Sequence, residues 1–169
     1  MKKIIFLLFV VASITLQLQA QESTTIILIR HAEKDTSVKG SNAMVADPPL
    51  SEVGKLRAER MVQIFAEYNL DFIYATNYTR TKSTVTPLAN KWGKEIKLYD
   101  PKDLQSLADE LLLLKGKTIV VVGHSNTTPA LVNLLIKQNS FDAMPDNEYS
   151  KYWIVTVKDG QVKAFTKAY

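Results

Sequence analysis

Four short apolar runs, each closed by charged or turn-forming residues, recur along this chain and constrain its fold more than any other feature. They lie at residues 25–29, 72–75, 95–99 and 119–122. Short runs of this kind are typical of strands buried inside a sheet. Each is followed by a segment with apolar residues at helical spacing. We therefore expect an α/β fold, a three-layer sandwich in which helices cover both faces of a mostly parallel sheet.

The predicted helices are marked by caps and breakers. The first covers residues 52–68 and follows Ser51, a residue type that caps helix starts. The second contains Pro87, which should kink the helix or delay its start. The third covers residues 104–112. The fourth, at residues 129–138, is apolar on nearly every side, which predicts deep burial.

The end of the chain has a different pattern. Residues 152–157 and 162–165 flank Asp159-Gly160, a pair that favours a two-residue hairpin turn. We expect this hairpin to add an antiparallel edge to the sheet.

The beginning of the chain resembles an export signal. Lys2 and Lys3 precede an apolar stretch at residues 4–14, and Ala20 is a small residue at which a signal peptidase can cut. The stretch is shorter than the about 20 residues of a membrane span. We expect a cleaved signal peptide at 1–20, a mature domain at 21–169 in the periplasm or outside the cell, and no stable membrane association after cleavage. Retention of the segment as an anchor is the alternative.

Composition excludes several classes of site. The absence of cysteine rules out disulfides, thiolate metal sites and a cysteine nucleophile. Without Lys2 and Lys3 the chain has 19 basic residues, down from 21, against 17 acidic ones. This small surplus, with no dense basic run, gives no support for a nucleic-acid partner.

The two histidines of the chain each follow a predicted strand. His31 comes after the first strand and next to Arg30, and His124 comes after the fourth strand and Gly123. Arg80 follows the second strand. Ligands of open α/β sheets bind outside the carboxyl ends of the strands, so these side chains can share one pocket. The alternative is a set of unrelated structural residues, but one anion site accounts for all of them.

A phosphoryl group is the anion that suits these side chains. A neutral imidazole can attack phosphorus and carry the phosphoryl group as a phosphoramidate. The planar fork of an arginine donates two hydrogen bonds to a phosphate. Backbone N–H groups at the helix start after His124, from Ser125 onward, form an anion site of their own.

Four segments resemble, in order, the motifs of the histidine phosphatase superfamily, the phosphoglycerate-mutase-like enzymes. Residues 27–34 resemble the signature whose usual form is arginine-histidine-glycine-glutamate. Residues 49–54 resemble the proline-leucine-serine/threonine segment that opens the first helix. Residues 74–84 and 121–126 resemble the stretches that carry the second arginine and the second histidine. The small build is similar to that of the phosphohistidine phosphatases.

This resemblance implies a phosphoglycerate-mutase-like sandwich and a role for each matching position. His31 is implied as the nucleophile that becomes phosphorylated. Arg30, Arg80 and His124 are implied to bind the phosphoryl oxygens, and we add Ser125 as a substrate-binding residue. The family uses no metal and no cofactor. The sequence departs from the pattern at Ala32, which replaces a glycine, and at Ser125-Asn126, where paired glycines are common.

The general acid that protonates the leaving oxygen has two candidates. Asp100 lies after the third strand, where many members of the family carry an acidic residue, although an aspartate before a proline is often only a helix cap. Glu33 is the other candidate, but its place in the signature favours a structural role in orienting an arginine.

The expected function is that of an exported, metal-independent phosphatase that hydrolyses phosphate monoesters through a phosphohistidine on His31. One alternative is a phosphohistidine protein phosphatase. Another is a phosphoanion-binding domain with weak or lost catalysis. A zinc hydrolase that uses both histidines is disfavoured because no third ligand stands at a recognisable spacing. The partner is a phosphorylated small molecule of unknown identity, and the oligomeric state is open.

Overall fold

The computed structural model describes residues 23–37 and 47–169, so the predicted signal peptide at 1–20 lies outside the described residues. The strands are β1 (Thr24–Arg30), β2 (Phe72–Thr76), β3 (Ile96–Tyr99), β4 (Thr118–Gly123), β5 (Lys151–Lys158) and β6 (Gln161–Ala168). The helices are α1 (Glu52–Ile64), α2 (Thr79–Trp92), α3 (Leu104–Leu113) and α4 (Thr127–Ile136). No helix in these two stretches is long and apolar enough to cross a membrane.

The strands form one sheet in the order β3-β2-β4-β1-β5-β6. The first four strands of the chain are parallel, with Ile27 opposite Val120 in the β1–β4 pair. β5 runs antiparallel to β1, and β6 returns antiparallel to β5. The expected mostly parallel sheet with an antiparallel hairpin at its edge is therefore confirmed.

The two faces of the sheet bury separate apolar clusters. Side chains alternate between the faces along each strand, so Ile26 and Leu28 of β1 face α3 and α4, whereas Ile27 and Ile29 face α1 and α2. Leu107, Leu111, Leu131 and Leu135 fill the first cluster, and Met61, Phe65, Val85 and Leu88 fill the second. This double burial explains why residues 26–29 of β1 and 119–122 of β4 are all apolar.

Several boundaries differ from the predicted ones. α1 ends at Ile64, because Phe65 already has non-helical backbone angles of φ −99° and ψ 16°. α2 starts at Thr79 and passes through Pro87, so the delayed start considered for this helix is wrong. α2 stops at Gly93, which is left-handed. The hairpin turn has Asp159 and Gly160 at φ 55° and 74°, as a two-residue turn with both central residues at positive φ requires.

Candidate active site

The two imidazoles meet at the carboxyl edge of the parallel strands. His31 follows β1, His124 follows β4, and their ring centroids lie 5.5 Å apart in an edge-on arrangement. The backbone N–H of His31 donates to the carbonyl of Gly123 at 2.9 Å, which fixes the two strand ends against each other. The order of the sheet produces this pair because β1 and β4 are adjacent, although ninety-odd residues separate the histidines in sequence.

His31 is held in the form that a nucleophile needs. Its side chain is buried, and Nδ1 lies 2.8 Å from the backbone carbonyl of Ala32, an acceptor that requires the proton to be on Nδ1. The lone pair is therefore on Nε2. Burial lowers the pKa of His31 to about 3; the bond to Ala32 opposes this shift, while His124, Arg80 and Arg30 add to it. The ring is thus neutral at physiological pH.

His124 has the opposite tautomer. Nη2 of Arg80 lies 3.4 Å from Nδ1 of His124, and because a guanidinium can only donate, Nδ1 must accept. Nε2 then carries the proton and donates to Oγ1 of Thr76 at 2.9 Å. The Thr76 hydroxyl donates to Thr81, whose own hydroxyl donates to backbone carbonyls. This chain of hydroxyls fixes the ring and turns Nδ1 towards Arg80.

The charge around His124 keeps its ring neutral as well. Burial, together with the nearby guanidinium groups of Arg80 and Arg30, lowers the pKa of His124 to about 4, while Asp47 opposes the shift. A phosphoryl group would add negative charge beside these rings, which favours the protonated form of an imidazole.

Arg30 is buried beside His31, and one of its donors has no partner within the described residues. Its Nη1 donates to the carbonyls of Pro145 and Glu148, each at 2.8 Å, which anchors the side chain to the segment before β5. Nε is buried and has no partner among the described residues. A buried donor without an acceptor is costly, so an anion that reached Nε would satisfy it.

Arg80 stands at the start of α2 and is oriented by a carboxylate. Its Nη1 lies 3.3 Å from Oδ1 of Asp47, while Nη2 faces His124. Asp47 is itself fixed to the helix start, because its carboxylate accepts from the backbone N–H and the hydroxyl of Thr79 at 2.7 to 2.8 Å. Asp47 thus caps α2 and holds Arg80 at the same time.

Two tyrosines pack on the two arginines. The guanidinium of Arg30 lies 4.1 Å from the ring centre of Tyr149, and that of Arg80 lies 4.4 Å from the ring centre of Tyr78. The Tyr149 ring is 6.1 Å from His31, and the Tyr78 ring is 5.1 Å from His124. Each arginine is therefore held by an aromatic face as well as by hydrogen bonds.

The signature segment after β1 is anchored to both neighbouring helices. The Thr84 hydroxyl accepts from the N–H of Ala32 and donates to the carbonyl of Arg80, which links the His31 loop to α2. Glu33 accepts from Nε and Nη2 of Arg57 on α1 at 2.6 to 3.0 Å. Gly54 allows α1 to approach, since a Cβ there would overlap the Glu33 carbonyl.

Asp100 and Ser125 lie at the same edge of the sheet, and their hydrogen bonds within the described part of the chain go to groups other than the imidazoles. Asp100 is exposed after β3, and its Oδ1 accepts from the N–H of Lys102 at 2.9 Å. It lines a surface cleft together with Tyr78. Ser125 follows His124 in the turn before α4, and its carbonyl accepts from the N–H of Met144.

Sequence reasoning missed several residues that shape this site. Each of them contacts a candidate catalytic residue from a distant part of the chain. Asp47 contacts Arg80, Thr76 contacts His124, and Tyr149 contacts Arg30. Thr84 carried a usable signal, because it is four residues after Arg80 and therefore lies on the same side of α2. In the two described stretches, no group of three or more His, Asp or Glu side chains is arranged to hold a metal ion.

Comparison with known proteins finds a match to a family model over part of this chain. Residues 26–105 match the model of the histidine phosphatase superfamily (branch 1). A stretch of 71 residues is 35% identical to phosphoserine phosphatase 1 of Hydrogenobacter thermophilus; it covers 42% of this chain and 34% of that protein. The match thus spans about a third of this relative's length.

Solved structures show the same architecture. The fold is similar to that of the protein histidine phosphatase SixA complexed with tungstate (TM-score 0.66, 14% identity, 86% of this chain and 96% of that one). It is also similar to that of phosphoserine phosphatase from Entamoeba histolytica in complex with phosphoserine (TM-score 0.65, 18% identity, 83% of this chain and 94% of that one). At such identities the likeness establishes the fold, and the expected phosphoglycerate-mutase-like sandwich is confirmed.

Proposed function

We propose, because residues 26–105 match the model of the histidine phosphatase superfamily (branch 1), that the chain belongs to this superfamily and hydrolyses phosphate monoesters through a phosphohistidine on His31. The observation that carries the proposal is the His31 imidazole: its Nδ1 is bonded to the Ala32 carbonyl, which leaves the lone pair on Nε2, and the ring is close enough to Arg80 and Arg30 for their charges to lower its pKa. A neutral imidazole nitrogen next to fixed positive charge is what attack on a phosphate dianion requires.

The reaction has two displacements at phosphorus. In the first, the lone pair of Nε2 on His31 forms a P–N bond while the bond from phosphorus to the leaving oxygen breaks. In the second, water attacks phosphorus, the P–N bond breaks, and inorganic phosphate and free His31 result. Arg30 and Arg80 bind the equatorial oxygens throughout, because charge neutralisation and positioning are most of what catalysis of phosphoryl transfer needs. His124 and Ser125 complete the set that we assign to the phosphoryl group.

The leaving oxygen needs a proton when it belongs to an alkyl ester. Burial of Glu33 favours its neutral form, but the hydrogen bonds from Arg57 outweigh burial and lower its pKa, so Glu33 holds no proton to give. We therefore assign the role of acid to Asp100, which lies in the cleft shared with Tyr78. Asp100→Asn should reduce turnover of alkyl phosphates far more than that of aryl phosphates, and equal losses would remove Asp100 from this role.

Trapping the phosphoenzyme tests the proposal. Wild-type protein is mixed with 4-nitrophenyl phosphate, quenched in alkali, in which phosphohistidine survives, and digested for mass spectrometry. We expect one phosphoryl group on the peptide with His31, no label in His31→Ala, and labelling at His31 that is slower but intact in His124→Ala. Because the chain has two histidines, a label on His124 or on a hydroxyl side chain contradicts the mechanism unambiguously.

A second candidate is a phosphoanion-binding domain with weak or lost catalysis. The exposed position of Asp100 and its bond to the N–H of Lys102 favour this alternative, since a carboxylate that did no more than cap this turn would leave the enzyme without a general acid. Binding of inorganic phosphate without turnover of any ester in a broad panel would support it. A phosphohistidine protein phosphatase is the other alternative, and release of phosphate from a phosphohistidine protein but not from small esters would favour it.

We further propose that the protein is exported, and this part of the proposal rests on the sequence alone. If residues 1–20 are a cleaved signal, protein recovered from a periplasmic fraction should begin at Gln21. Recovery of the intact amino terminus in the membrane fraction would instead identify an anchor.

A further inference from the structure

A surface cleft of about 510 Å³ adjoins the candidate active site on the side of His124. It lies between the start of α2 and the end of β3. Tyr78 forms part of its wall, and the same ring packs edge-on against His124 and against the guanidinium of Arg80. One side chain therefore separates the phosphoryl-binding groups from this cleft.

The position of the proposed acid places the leaving group at this cleft. In-line displacement places the leaving oxygen opposite the attacking Nε2 of His31. Tyr78 contacts His124, the ring that faces His31 across the site, whereas Tyr149 is the tyrosine that packs beside His31. Asp100, the proposed acid for the leaving oxygen, lines the cleft together with Tyr78, so the leaving group is expected on this side of the site.

The cleft exposes apolar side chains that are not buried in the core of the fold. Tyr78 is 37% exposed and Leu98 is 55% exposed, and both line it. Adjacent exposed apolar side chains beside a polar catalytic centre are typical of a ligand site. The rim carries one carboxylate, Asp100, and one ammonium, Lys102, so it does not select an ion of either sign.

We propose that this cleft is the leaving-group subsite and that it accepts phosphate esters whose leaving group carries an apolar ring. The inference rests on the proposed function, because it assumes that the phosphoryl group is bound between His31 and His124. Tyr78 and Leu98 provide the contact surface for the ring. Esters of small polar alcohols leave this surface exposed, so it adds nothing to their binding affinity.

Phosphonates test the subsite without the complication of leaving-group acidity, because their P–C bond is not hydrolysed. Inhibition constants for benzylphosphonate and methylphosphonate are measured against turnover of 4-nitrophenyl phosphate. We expect benzylphosphonate to bind wild-type protein about tenfold more tightly, as partial burial of one ring predicts. In Leu98→Ser this preference should fall to about twofold, with the methylphosphonate constant unchanged. The matched control is Leu113→Ser, which removes a 77% exposed leucine at the end of α3 and should keep the full preference.

The outcomes separate the two proposals. Equal inhibition by both phosphonates in an active enzyme overturns the subsite and leaves the phosphatase proposal standing. A preference that survives Leu98→Ser also overturns it, because the ring must then bind elsewhere. If the protein turns over no phosphate ester, the proposed function is overturned first. The affinities of the two phosphonates are then measured by calorimetry. Equal affinity for both, or no binding of either, rejects the subsite as well.

Discussion

Asp47 holds Arg80: its Oδ1 lies 3.3 Å from Nη1 of that arginine, while its carboxylate accepts from the helix start at Thr79. The guanidinium is shared between this carboxylate and Nδ1 of His124. A carboxylate from the segment before α1 thus sets the direction in which an arginine of α2 points, although Asp47 belongs to none of the motifs that mark the site.

Asp47→Asn should lower kcat/KM about tenfold for aryl and alkyl phosphates alike. Asparagine keeps an oxygen that can cap Thr79, but it removes the charge that orients Arg80, and misplacement of a positioning group is costly to catalysis. The matched control is Asp103→Asn, since Asp103 caps α3 through Ser106 and contacts no arginine. Similar losses in both variants, or a loss confined to alkyl esters, would contradict this role.

Thr76→Val should disturb the tautomer of His124. The hydroxyl of Thr76 is the acceptor for Nε2–H, and a buried donor left without an acceptor costs about 1–3 kcal/mol. We expect kcat to fall about tenfold, and the ring nitrogen chemical shifts of His124 to report loss of the pure Nε2–H form. Thr86→Val is the control, because the exposed Thr86 hydroxyl donates to the carbonyl of Lys82 in its own helix. Unchanged nitrogen shifts in Thr76→Val would show that another group sets the tautomer.

Neither histidine should titrate near neutrality. Burial lowers the pKa values of His31 and His124 to about 3 and about 4, from 6.5 in an exposed ring. The ring proton signals of the two histidines should therefore stay constant in NMR spectra between about pH 8 and about pH 5. A midpoint near 6.5 for either signal would contradict the described burial.

The same shifts predict how stability depends on pH. Below about pH 6.5 the unfolded chain binds protons at both imidazoles while the folded chain does not, so the free energy of unfolding decreases as the pH falls. Each histidine contributes a slope of about 1.4 kcal/mol per pH unit until the folded pKa is reached. Denaturant titrations at several pH values measure this slope, and His31→Asn should remove one histidine's share. A stability that is flat from about pH 6.5 to about pH 5 would reject the linkage.

Gly123→Ala should destabilise the protein and impair the site. A Cβ at this position would lie 2.8 Å from Oγ1 of Thr128 and 2.9 Å from Oγ1 of Thr127, the acceptor for the N–H of His124. Overpacking of this kind costs about 1–3 kcal/mol, which thermal unfolding detects. Gly160→Asn is the control: it lies in the hairpin turn at φ 74° with nothing within 4 Å, and asparagine tolerates this conformation. A melting temperature for Gly123→Ala equal to that of wild type would show that the close packing yields easily.

Much of the architecture was predictable because it follows from local pattern. The apolar runs at β1 and β4 indicated strands buried on both faces, and Asp159-Gly160 indicated the hairpin turn. The boundaries were less predictable. Pro87 breaks the local pattern of α2, yet the helix continues through it, because Val85 and Leu88 are packed against the sheet and tertiary packing outweighs local propensity.

The sequence alone was enough to place four candidate residues at one edge of the sheet, because each follows a predicted strand and parallel strands end on the same side. These residues are His31, His124, Arg30 and Arg80. The tautomers, the depressed pKa values and the contacts of Asp47, Thr76 and Tyr149 arise only in the folded molecule. Except for the bond between His31 and its neighbour Ala32, the contacts behind them join residues 33 to 119 positions apart, and no local pattern encodes which distant groups the fold brings within bonding distance.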